Sequence, residues 1–137
     1  MKWLKYGLLL SVILSVFVLA GCQKKGGGNV PSEENLVVET LPVSNGHVET
    51  PAPGPNFPLK ITIKSAMPPS GVKIDITVKP DGGTVSFFTK SVTSSSAVND
   101  FSITGTTAGA VNVVDITVTS VSKASNQWKG NYKYSRK

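Results

Sequence analysis

Two short stretches decide the fold: Leu59-Lys60-Ile61-Thr62-Ile63-Lys64 and Lys73-Ile74-Asp75-Ile76-Thr77-Val78-Lys79. In both, apolar and polar side chains alternate at every position. A period of two places one set on a buried face and the other in water, as a half-buried β-strand requires. Working outward, residues 85–90, with Phe87 and Phe88 side by side, predict a third strand, and residues 98–104, with Phe101 and Ile103 in phase, a fourth. Residues 111–121 form a longer fifth run whose phase slips at Val113-Val114, which predicts a β-bulge or a change of sheet. Trp128, Gly130, Tyr132 and Tyr134 share one phase and Lys129, Asn131 and Lys133 the other, giving a last strand. Turn chemistry marks Pro68-Pro69-Ser70-Gly71, Pro80-Asp81-Gly82-Gly83, Gly105 to Gly109 and Ser125-Asn126 between the runs, and Asn99-Asp100 near the start of the fourth.

Composition agrees with periodicity. Over residues 57–137 there is no Glu, one Leu and one Gln, against 26 Val, Ile and Thr. Helix formers are scarce and β-branched residues abundant, so the fold class is all-β. Six strands, or seven if the apolar residues within 36–43 pair, resemble in architecture a single small β-sandwich of the immunoglobulin or fibronectin kind. A small Greek-key barrel is the alternative.

Residues 22–56 have a different character. Ten of the 34 residues from 23 to 56 are Gly or Pro, which predicts a flexible linker. Two apolar patches, Leu36-Val37-Val38 and Leu41-Pro42-Val43, interrupt it and could instead form a short docked strand.

Residues 1–21 carry a basic head (Lys2, Lys5), a 13-residue apolar run from 8 to 20 and small residues at Ala20 and Gly21, the layout of a secretory signal peptide. The apolar run is short of the roughly 20 residues that a spanning helix needs. It ends in Leu19-Ala20-Gly21-Cys22, which resembles at all four positions the lipobox of bacterial lipoproteins. That resemblance implies a diacylglycerol on the Cys22 thiol, cleavage before Cys22, and often a further acyl chain such as palmitate on the new amino terminus. The expected location is the cell envelope. Gln23 follows Cys22, so the outer membrane is expected if the host has two membranes, and the outer face of the cell membrane otherwise.

The chain has 137 residues, one Cys, one His, and 14 basic against 8 acidic side chains, net +6. One Cys cannot form an internal disulfide or a Cys-based zinc site. His47 falls in the linker, and residues 57–137 hold only Asp75, Asp81, Asp100 and Asp115 as acids, placed on solvated phases or at turns. With no base beside a Ser nucleophile and no clustered carboxylates, neither a catalytic residue nor a metal or cofactor site is expected. The most suggestive surface is Trp128, Lys129, Tyr132, Lys133 and Tyr134, whose rings could stack on a ligand while the lysines hold an anion. The same pattern also fits a core strand with protective lysines. The sequence therefore predicts a membrane-anchored, non-catalytic β-sandwich for binding or envelope structure, with an unidentified protein or glycan partner and no nucleic acid. The alternative is an accessory or inhibitor protein whose basic domain, ten basic side chains against four Asp, engages an acidic partner.

Overall fold

Inward and outward side chains alternate through β2 (Phe57–Ile63) and β3 (Val72–Pro80), and those two strands seed opposite sheets. The structure is a computed structural model that describes residues 32–49, 51, 52 and 54–137. Seven strands lie in two antiparallel sheets, in order β1 (Val38–Leu41), β2, β5 (Val98–Ile103) and β4 (Phe88–Ser94), β3, β6 (Val111–Ser120), β7 (Gln127–Ser135). The result is a small all-β sandwich. Strand pairing stays within each sheet, so it is a sandwich and not a closed barrel.

The core fills the space between the sheets. Leu59, Ile61 and Ile103 from one sheet meet Val72, Ile74, Ile76, Val78, Val114, Ile116, Val118, Tyr132 and Tyr134 from the other, all fully buried. β-branched residues dominate because their stiff side chains suit a pleated, buried surface.

Three boundaries differ from the sequence reading. β4 begins at Phe88 rather than at residue 85, and Val85 is 77% exposed in the loop before it. Phe88 and Val92 face the core, but Lys90 interrupts that phase between them and Thr89, Ser91 and Thr93 fill the other, so the alternation is weak. β6 has neither bulge nor change of sheet: its register with β3 and β7 is unbroken, and Val113 is simply an apolar residue on the outward phase.

The third difference is the linker. The compact unit runs from Glu33 to Lys137, so the described residues from Glu33 to Asn56, expected to belong to a linker, are part of it. β1 pairs with β2, and Leu36 and Val38 are buried in the core. After Leu41, whose peptide bond to Pro42 is cis, the chain crosses to the other sheet and runs parallel to β7. Gly46 N–H donates to Asn131 O (2.9 Å), Glu49 N–H to Lys133 O (2.7 Å) and Ala52 N–H to Ser135 O (2.8 Å). The buried Asn126 amide fixes the start of the segment, accepting from Leu36 N–H at 2.9 Å and donating to Glu34 O at 2.8 Å. Apolar side chains on one phase and satisfied backbone groups outweigh the Gly/Pro content that suggested disorder.

Cys22 and the signal-like segment lie outside the described residues. Among the described residues no helix is long and apolar enough to cross a membrane.

Candidate functional site

The five side chains singled out on the last strand are not brought to one surface. Tyr132 and Tyr134 are fully buried. Phe57 stacks on Tyr134 with ring centroids 4.1 Å apart, and Tyr134 shares a 2.6 Å hydroxyl hydrogen bond with buried Thr106. The Tyr132 hydroxyl is buried without a hydrogen-bond partner among the described residues, and burial, with lesser contributions from Tyr134 and Glu49, pushes its ionisation far up. On the opposite face Lys129 is exposed, while Lys133 Nζ is tied to Asp81 Oδ2 at 2.8 Å. Trp128 is half-buried and folds over Gly130. A Cβ at Gly130 would lie 2.7 Å from Ser44 Cβ and closer still to the Trp128 ring, so the missing side chain makes the space that the indole fills. The ligand surface expected of Trp128, Lys129, Tyr132, Lys133 and Tyr134 is therefore split by the pleat: rings inward, cations outward.

Asp100, expected at a turn, lies inside β5 opposite Lys60, whose Nζ is 3.8 Å from its carboxylate, and Asp75 accepts from Ser91 Oγ at 2.6 Å with Lys73 Nζ at 3.1 Å. Partial burial pushes the Asp75 carboxyl up, but Ser91 and Lys73 outweigh it and hold the group below its usual range. His47 is exposed and serves the β7 edge through its carbonyl, which accepts from Lys133 N–H. Among the described residues no group of three or more His, Cys, Asp or Glu is arranged to hold a metal ion.

The positive charge of residues 57–137 is also offset within the fold. The acids of residues 33–56 belong to the same unit: Glu39 pairs with Lys64 at 3.5 Å, and Glu34 accepts from Ala66 N–H at 2.8 Å. Over Glu33–Lys137 there are ten basic and eight acidic side chains, net +2.

A cleft lies elsewhere, beside the start of β2. β1 stops at Leu41, opposite Lys60, and the chain departs for the other sheet, so Phe57 to Leu59 lose their neighbour on that side. The cleft there has a volume of about 640 Å³. Leu41 and Pro42, Pro51 and Ala52, the stretch from Asn56 to Lys60, and Asp100 and Phe101 line it. Leu41 is 66% exposed at its mouth.

Local chemistry explains why Pro58 is tolerated inside a central strand. Ile63 N–H donates toward β5 (Ala97 O) and Lys64 N–H toward the β1 side (Val37 O), so the even positions of β2 aim their N–H groups at β1. At Pro58 there is no longer a β1 residue to receive one, and the missing N–H costs no ladder bond. A Pro in an otherwise strand-like run was the one signal of this gap in the sequence. The cleft residues come from four separate stretches, so their convergence had no local signature.

No family model matches the chain, and neither does any curated protein.

Proposed function

We propose that this protein is a membrane-anchored lipoprotein that holds a non-catalytic β-sandwich at the envelope surface for binding. The observation that carries the reading is Leu19-Ala20-Gly21-Cys22 at the end of a short apolar run, the lipobox pattern with the chain's sole thiol in the modified position. Two or three acyl chains, at about 0.8 kcal/mol per buried CH₂, suffice for stable attachment without a spanning helix. The distance from anchor to domain also fits. Ten residues, 23 to 32, separate Cys22 from Glu33, and a chain of that length reaches at most roughly 40 Å. The sandwich would therefore work close to the membrane. Binding is the function best supported for it, because the cleft beside β2 is lined mostly by apolar residues.

The test is Cys22→Ala in cells. The wild-type chain should incorporate a labelled fatty acid and sediment with membranes, and the variant should lose both. Equal labelling of the variant would falsify the lipoprotein assignment.

A further inference from the structure

We infer that the cleft beside β2 binds a single-chain amphiphile with a zwitterionic head, a lysophospholipid being the fitting class. Its volume of about 640 Å³ falls in the range of small-molecule sites, roughly 300–1,000 Å³.

The lining selects for hydrocarbon. Pro42, Pro51 and Pro58 carry no N–H, so three of the residues that could offer a backbone donor offer none. A peptide bound by strand addition needs an alternating series of donors and acceptors. An alkyl chain needs only apolar walls, which Leu41, Phe101 and the prolines supply. The exposed Leu41 side chain at the mouth would be covered by such a tail.

The rim selects the head. Lys60 Nζ and Asp100 Oδ1 stand 3.8 Å apart, both more than half exposed. An anionic head attracted by Lys60 is repelled by Asp100, and a cationic head meets the reverse. A head with one phosphate and one ammonium satisfies both at once. Supply of such a ligand rests on the envelope location proposed above, since the membrane within tether reach is its source.

The experiment uses residues 22–137 carrying Cys22→Ala, a soluble form that keeps the whole Glu33–Lys137 unit, so the outcome does not depend on lipidation. It is titrated with oleoyl lysophosphatidylethanolamine below its micelle concentration and followed by amide NMR. Saturable one-to-one shifts are expected at Leu41, Leu59, Asp100 and Phe101. Oleate, which lacks the ammonium, and glycerophosphoethanolamine, which lacks the tail, should each bind at least tenfold more weakly. Leu41→Asp, at an exposed position, should keep the folded spectrum and weaken binding at least tenfold. Shifts that never saturate, equal affinity in a folded Leu41→Asp chain, or the same shifts produced by raising protein concentration alone would each overturn the assignment. The last outcome would mean that a second copy covers the cleft. A negative titration with normal fractionation of the wild type would sink this inference and leave the anchoring intact.

Discussion

The sandwich has two long sides, finished in different ways. On the side of β1 and β7 the chain covers its own edge: the segment after Pro42 runs beside β7, donating to the carbonyls of Asn131, Lys133 and Ser135 and accepting from Lys133 N–H. On the side of β4 and β5 no strand among the described residues covers the edges. There the protection is chemical. Lys90 lies opposite the buried Ile76, on the core-facing phase of β4, yet its own side chain is exposed. A charge at such a position discourages the docking of another sheet edge, which would have to bury it. On β5, Ser96 Oγ donates to Val98 O at 2.9 Å and occupies one acceptor of the open edge. One side is thus closed by backbone pairing and the other by charge and side-chain hydroxyls.

The largest expected effect comes from removing the cover. A chain beginning at Phe57 lacks Leu36 and Val38, whose burial is worth about 1.5–3 kcal/mol each, and leaves β7 open. Its urea midpoint should fall sharply and it should scatter light at concentrations where the whole unit is monomeric. An unchanged midpoint in a monomeric protein would show that the cover contributes nothing. Next in size is Asn126→Ala, which leaves Leu36 N–H and Glu34 O without their buried partner and should cost about 1–3 kcal/mol. Hydrogen exchange at Leu36 should accelerate while exchange at Ile76 follows only the global loss; uniform acceleration would mean that Asn126 holds no local latch. The smallest effect on monomer stability is expected on the open side, where Lys90→Val should stay within about 0.5 kcal/mol. Its consequence should appear as concentration-dependent association in size-exclusion chromatography with light scattering. A strictly monomeric variant would remove Lys90 from the protective role.

How well each side could be read from sequence follows the same division. Strands with one wet and one dry face, β2, β3 and β7, are legible because burial imposes a period of two. β4 is not, because Lys90 breaks its core-facing phase between Phe88 and Val92 and leaves too short a period to read. Val113 was misleading in the opposite sense, an apolar residue on a solvated phase that imitates a slip in register. For residues 33–56, average composition obscured position: Leu36 and Val38 fall on one phase and are buried, and the Gly and Pro that suggested a linker lie outside residues 32–41. The pairing of Tyr132 and Tyr134 with the core follows from their phase, whereas the cleft depends on where β1 leaves its sheet, a tertiary event.

The covering segment also bears on the order in which the molecule folds. Leu36 and Asn126 are 90 positions apart in the chain, whereas β3 and β4, or β6 and β7, are near neighbours that can pair early. Contacts between distant segments form slowly because the loop entropy is lost before the contact repays it. The β7 edge can therefore be sealed only after nearly the whole chain has been made and both sheets are in place. Until then an aromatic-rich strand is open to any other extended chain, which makes folding, rather than the finished state, the period of greatest exposure to aggregation.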